Sequence, residues 1–246
     1  MKKILIFIDW FTPAVKAGGP ISSVENMVNF LAEAFEFYII TGAKDLNSEH
    51  NLQGIVLNKW QKVGSANVIY LEKSHLKNKI LQSLVAEINP SKIYLNGIFS
   101  FKFSILPCLL FKTKYNTIIA PRGMLGSGAI ATKSFRKIVF LQLMKNLSIY
   151  KNIHWHLSND KELEDLNRVV SKSITYSILP NITKKIKLTP YSTPSYDVNS
   201  NGGTILNNKN TKYHLNLFGA HNLQNLMGAM HIANSIGIKE DDFLIF

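Results

Sequence analysis

Ile4-Leu5-Ile6-Phe7-Ile8 leads, through Asp9-Trp10-Phe11-Thr12-Pro13, to Lys16-Ala17-Gly18-Gly19-Pro20-Ile21-Ser22-Ser23. An apolar run, a paired-glycine turn and the opening of an amphipathic helix follow one another. That succession is the first unit of an α/β sheet, and it has chemical consequences. Backbone N–H groups at a helix start can face an anion. Adjacent Gly18 and Gly19 permit positive φ and let a ligand approach the main chain closely. A plain tight turn between strand and helix fits the same residues.

Outward from this unit the pattern repeats. Candidate strands fall at residues 3–8, 36–41, 67–71, 92–96, 117–120, 153–157 and 173–179. Between them, Val24, Met27, Val28, Leu31 and Phe35 fall on one helical face, as do Ile80, Leu81, Leu84, Val85 and Ile88 before Pro90. Ile138, Val139, Leu141, Leu143 and Met144 mark another helix. Residues 160–169 open with a likeness to a capped, acidic first turn. Nearly all-apolar strands alternating with helices imply a parallel sheet covered on both faces. In such sheets ligands gather beyond the carboxyl ends of the strands. Residues 9–23, 96–100, 121–127 and 156–159 all follow strand ends, so four polar or glycine-rich segments are expected on one rim.

Beyond Ile182 the texture changes. Thr183–Lys187 is basic, prolines follow at 190 and 194, and Asn199-Ser200-Asn201-Gly202-Gly203 reads as a turn. A hairpin is expected from 204–206 and 212–217, with 207–210 as its turn. A helix begins near Asn222, with Leu223, Leu226, Met227, Met230, Ala233 and Ile236 on one face. Domains are therefore drawn at residues 1–182 and 183–246.

Composition narrows the classes. Of 246 residues, 46% are hydrophobic and 18% charged, enough to build a core. The one cysteine, Cys108, excludes an internal disulfide and sits in an apolar run that reads as buried. Net charge is +12, from 28 Lys and Arg against 16 Asp and Glu. Such a field suits phosphorylated ligands, an anionic membrane surface or simple solubility. No nucleic-acid module accompanies it, so nucleic acid is not an expected partner. Asp9 and Trp10 interrupt the N-terminal apolar run, which reads as a strand rather than a leader. The longest apolar stretch, 98–111, is too short for a transmembrane segment.

Several rim residues carry chemistry. Arg122, between Pro121 and Gly123, can turn its guanidinium fork toward phosphate or sugar hydroxyls, or pair with a local acid. Asn96 closes the fourth strand and can hydrogen-bond a ligand or cap the next helix. His156 suits hydroxyl binding or acid–base work, or a structural bond to backbone. His154 and His156 are read as facing opposite ways, which makes them poor joint metal ligands, and no metal site is expected.

Taken in order, Phe11-Thr12-Pro13 with Gly18-Gly19-Pro20, Leu95-Asn96-Gly97, Ala120-Pro121-Arg122-Gly123-Met124 and Trp155-His156-Leu157-Ser158 resemble the N-terminal domain of family 4 glycosyltransferases. The resemblance spans about residues 1–182. It implies a Rossmann-like doubly wound parallel sheet, one half of a GT-B fold, here followed by a small β-hairpin and helix tail. It also implies retaining transfer of a sugar from a nucleotide-sugar donor to a cell-envelope polysaccharide or lipid-linked acceptor, without a metal or cofactor. Gly18 and Gly19 would approach the donor phosphates, Arg122 and Gly123 would line the cleft with Asn96, His156 would be the catalytic residue near the sugar, and Glu162 matches the family's acidic position. A cytoplasmic location follows, with peripheral contact at an anionic membrane face.

The family's donor-binding domain, with its paired glutamates, is expected to be missing, which leaves transfer by this chain incomplete. A non-catalytic sugar- or phosphate-binding remnant is the alternative. Residues 185–246 resemble part of the central domain of a Mur ligase of the muramate–tripeptide type, through Phe218-Gly219-Ala220-His221-Asn222-Leu223-Gln224-Asn225. There His221, Asn222 and Asn225 would lie near a nucleotide, and ATP would be a substrate of a complete ligase. The phosphate-loop signature of such ligases is absent from the sequence.

Overall fold

The computed structural model describes residues 1–126, 129, 140–142, 149–170, 174–182, 196–198, 200, 204–208, 211–215 and 229. The chain divides into two compact units, Met1–Lys185 and Ile186–Phe246.

The first unit is built on an eight-stranded sheet in the order β3-β4-β2-β1-β5-β6-β7-β8. Its strands are β1 (Lys2–Phe7), β2 (Phe35–Gly42), β3 (Trp60–Val63), β4 (Ala66–Leu71), β5 (Lys92–Asn96), β6 (Asn116–Ala120), β7 (His154–Leu157) and β8 (Thr175–Ile178). All neighbours pair parallel except β3 and β4, which form an antiparallel hairpin. This is the expected Rossmann-like α/β sheet. Strand β3 was not foreseen, although Gly64, at φ 55, supplies the left-handed turn residue between Val63 and Ala66.

Helix α1 (Gly19–Leu31) starts where Pro20 fixes a helical φ and Gly18 turns the chain at φ 60. It buries Ile21, Val24 and Val28. Phe35, assigned to this helix's face from spacing, instead begins β2, because the helix ends after Leu31 and residues 32–34 turn the chain. Helix α2 (Asn78–Ile88) buries Leu81, Val85 and Ile88 and stops at Asn89, whose left-handed φ of 48 leads into Pro90.

The apolar stretch after β5 also departs from expectation. Ser100 accepts a hydrogen bond from the Phe103 N–H and caps a π-helical turn, Phe101–Ile105, which continues into α3 (Leu106–Phe111). The cap is therefore Ser100 and not Asn96. Helix α4 (Asp160–Val169) is capped by Asn159, whose Oδ1 accepts from the Glu162 N–H at 3.0 Å.

One sheet face carries Leu5, Phe7, Ile93, Leu95 and Trp155 against α2, α3 and α4. The opposite face carries Ile6, Ile8, Phe37, Ile39, Val68 and Tyr94, with α1 packed over it. Each fully buried aliphatic or aromatic side chain contributes about 1.5–3 kcal/mol. Cys108 is buried as expected, and burial pushes its thiol up to about 11.

In the second unit, β9 (Tyr196–Val198), β10 (Thr204–Asn208) and β11 (Thr211–Leu215) form an antiparallel sheet in the order β11-β10-β9. The expected hairpin is present. Its register runs on to the pair Asn208 and Thr211, and β9 adds a third strand. Most of the expected helix from Asn222 lies outside the described residues, and Ala229 within it is helical.

Candidate functional site

Parallel strands end on a common rim, and here the rim loops enclose a polar cavity of about 500 Å³. Helix α1 contributes Gly19, Pro20 and Ser23 to its wall. The loop after β6 contributes Arg122, Gly123 and Gly126. The β7–α4 junction adds Ser158, Asn159, Lys161, Glu162 and Asp165, and Asn181 closes the side after β8. Segments that follow β1, β6, β7 and β8 thus meet at one place.

Arg122 is the centre of this wall. It has a left-handed φ of 52, followed by Gly123 at φ 72, a pair that folds the loop back beneath the cavity. Its Nε donates to Asn96 Oδ1 at 2.9 Å, its Nη2 to Tyr94 Oη at 2.8 Å, and its Nη1 to Asn181 Oδ1. Asn181 also accepts from Ser23 Oγ at 3.0 Å, and Asn26 Nδ2 donates to the Ile182 carbonyl at 3.1 Å. The guanidinium therefore ties β5, β6 and the segment after β8 together.

The network continues into His156. Tyr94 Oη lies 2.7 Å from His156 Nδ1, and His156 Nε2 lies 3.0 Å from the Leu179 carbonyl oxygen. A carbonyl only accepts, so Nε2 carries the proton and Nδ1 accepts a hydrogen bond from the Tyr94 hydroxyl. This is a neutral imidazole. Burial lowers its pKa, and the nearby Arg122 charge adds to the effect. Burial likewise pushes Tyr94 up to about 12. Both ring nitrogens of His156 are engaged inside the protein.

His156 faces a second cavity, an apolar groove of about 430 Å³ walled by Ile4, Met27, Leu31, Phe35 and Ile118. Arg122, Ser23 and Asn181 border both spaces. The structure brings Gly19, Arg122, Gly123 and Glu162 to the polar cavity and sets His156 on the far side of Arg122. Asn96, 3% exposed, supports Arg122 from beneath. Its Nδ2 has no hydrogen-bond partner among the described residues.

The expectation that His154 and His156 face opposite ways is corrected. They are two residues apart on β7, and alternate strand positions share a face. His154 Nε2 lies 2.9 Å from Ser177 Oγ. Among the described residues no group of three or more His, Cys, Asp or Glu side chains is placed to hold a metal ion.

Glu162 is buried at the start of α4 and binds two loops at once. Its Oε2 accepts from the Ser158 N–H at 2.7 Å and its Oε1 from the Gly123 N–H. The loop before α1 is held from outside the cavity. Asp45 accepts from the Val15 N–H at 3.1 Å and the Lys16 N–H at 3.3 Å, and Tyr70 Oη donates to the Thr12 carbonyl. At α1 itself, Ile21 and Ser22 donate back to the Gly18 carbonyl, and Pro20 has no N–H. The helix start therefore presents the Gly19 N–H and its dipole rather than a cradle of several donors. A Cβ on Gly18 or Gly19 would meet nothing within 4 Å; Gly19 lines the cavity with open space beside it, while Gly18 is not among its lining residues.

Sequence reading missed Tyr94, Ser23, Asp165 and Asn181. Tyr94 had a legible signal, since it lies two positions before Asn96 and so shares its face. His221, Asn222 and Asn225 lie outside the described residues. Among the described residues no helix is long and apolar enough to cross a membrane.

No protein-family model and no curated protein sequence matches this chain. Among solved structures it is similar to a sucrose-phosphate synthase from Thermosynechococcus elongatus. The TM-score is 0.51 at 15% identity, over 73% of this chain and 48% of the synthase. The chain thus spans about half the length of that protein. A dTDP-glucose 4,6-dehydratase from Bacillus anthracis, in complex with NAD, aligns at TM-score 0.34 and 10% identity, over 64% of this chain and 54% of that one. That second alignment is too slight to carry an argument. The first shows the fold alone. Neither structure is a Mur ligase.

Proposed function

We propose that the first unit acts in glycosyl transfer, with the rim cavity taking part of a nucleotide-sugar donor. One observation carries this reading: Gly19, Arg122–Gly123 and the Ser158–Glu162 turn, from three separate βα units, wall one polar cavity at the carboxyl rim of a parallel sheet. The likeness in fold to a sucrose-phosphate synthase supports it. The open space at Gly19 suits close approach by a phosphate to the positive end of α1. The acceptor, a cell-envelope glycan or lipid-linked sugar, is part of the same proposal, as is peripheral work at an anionic membrane face.

Within this unit Arg122, His156 and Glu162 act by position rather than by reaction. Each is held by internal hydrogen bonds, and together they fix the shape of the wall. That same engagement favours a second reading, a binding half without chemistry of its own.

Saturation-transfer NMR of the chain with a panel of nucleotide sugars tests the proposal. Transfer to ribose and sugar protons is expected, weakened by Gly19→Ala, which adds a methyl group to open space. A wild-type chain that gives no transfer to any nucleotide sugar overturns it. Release of free nucleotide on adding glycan or lipid-linked acceptors separates an enzyme from a binding half.

A further inference from the structure

Two charged side chains of the rim cavity are anchored within the protein, Arg122 through three of its five N–H groups. Arg122 gives its three bonds to Asn96, Tyr94 and Asn181, and Glu162 gives both oxygens to backbone N–H groups. Asp165 differs. It is 5% exposed, lines the cavity and has Oδ1 bound to Arg168 Nη1 at 3.0 Å. No hydrogen bond reaches its Oδ2 from any described residue. That oxygen opens to the cavity and is free to accept a hydrogen bond from whatever fills it.

Gly126 leaves that oxygen accessible. A Cβ built on Gly126 would lie 3.5 Å from Asp165 Oδ2, so a side chain there would stand over it. A ligand that displaces water from this oxygen has to bring a donor, and its charge is constrained. A phosphate is repelled by a carboxylate and belongs at the other wall, beside the Gly19 N–H and the positive end of α1. A neutral, hydroxyl-bearing group fits Oδ2. We infer that Asp165 reads a hydroxyl of the bound sugar and so orients the ligand, with its phosphate toward α1 and its sugar toward α4.

This assignment rests on the proposed nucleotide-sugar site. Asp165 is a specificity-determining residue there, since a site built to bond a hydroxyl rejects ligands that lack it. Lys161, exposed at the same wall, supplies a donor and no acceptor and does not compete for the role.

The test is titration calorimetry of the full chain with UDP, UDP-glucose, UDP-galactose, UDP-N-acetylglucosamine, GDP and GDP-mannose. Wild type is expected to bind at least one sugar nucleotide more tightly than its parent nucleotide. In Asp165→Asn that advantage falls about tenfold, while affinity for the parent nucleotide holds. A purely structural role would lower both together. Gly126→Ala leaves the Asp165–Arg168 pair intact and is expected to lower the sugar advantage in the same way, so it carries the test if the asparagine variant does not fold. Asp165→Asn that keeps the wild-type ratio overturns the inference and leaves the proposed function standing. Wild type that binds nucleotides without sugar preference does the same, and wild type that binds neither removes both.

Discussion

The two faces of the sheet are built to different rules. Beneath α2, α3 and α4 the face is closed by apolar side chains, with Trp155 1% exposed and Leu5, Ile93 and Leu95 fully buried. On the α1 face the apolar cover runs from Val68 to Tyr94 and then gives way to Arg122, His156 and the groove beside them. One face stores stability in packing. The other places polar groups where the helix cover stops, and each of those groups had to find a partner there. Site and core share the same strands, one residue apart: Trp155 points to the packed face and His156 to the open one.

Cutting into the packed face has the largest expected effect. Trp155→Ala removes a large side chain that meets Tyr150 edge to face, with ring centroids 5.4 Å apart. A loss of about 3–5 kcal/mol is expected, read as a lower urea midpoint. A loss under about 1 kcal/mol would mean that this face is not the main store of stability, and the contrast between faces would fail.

On the open face the corresponding cut is Glu162→Ala. It strips a buried acceptor from the Gly123 and Ser158 N–H groups and frees two rim loops. A loss of about 2–3 kcal/mol follows from bonds to a charged acceptor. Glu162→Gln keeps one strong acceptor and should lose about half. Equal losses for the two variants would show that charge, not loop tethering, is what Glu162 supplies.

The packed face was far more legible in the sequence than the open one. Runs such as Ile4–Ile8 and the α2 spacing Leu81, Val85, Ile88 repeat a simple period, and period alone assigns them. Helix α3 escaped because its start depends on a single side-chain cap at Ser100 and a π-helical turn, neither of which has a period. On the open face, glycine and arginine in the right places marked the rim, so Gly19 and Arg122 could be named, and Glu162 through the family resemblance. Their bonding could not be. Tyr94 and Asn181 meet Arg122 across 28 and 59 residues of chain, and no local pattern encodes such a meeting. His156 shows the consequence: its type and rim position suggested chemistry, while two partners from distant segments engage its ring.

Protonation sharpens that point. In the folded chain His156 is held neutral, with its pKa below the ordinary histidine value of about 6.5. The unfolded chain therefore takes up the proton first as pH falls. The stabilising contribution is present above about pH 6.5 and is lost as pH drops through the folded value. Thermal unfolding of wild type should fall between pH 7 and pH 5 more steeply than that of His156→Phe, which has no proton to gain. Parallel slopes would show that burial and the Arg122 charge do not hold the imidazole neutral.

The smallest effect concerns the loop that delivers α1 to the open face. Asp45 pays some desolvation, but backbone N–H groups of Val15, Leu46 and Lys16, with the Lys16 charge, hold its carboxyl below the usual carboxylate range. The sign is that of a depressed acid: the tether is intact above the ordinary carboxylate pKa near 3.9 and is released as pH falls through the lower folded value. Asp45→Asn weakens the same tether at neutral pH. Because the carboxylate acts only on the loop, hydrogen exchange should quicken at the Val15 and Lys16 amides and stay unchanged in β1. Faster exchange throughout β1 would mean that the loop and the packed sheet move as one, and the open face would then owe its shape to the same packing as its opposite.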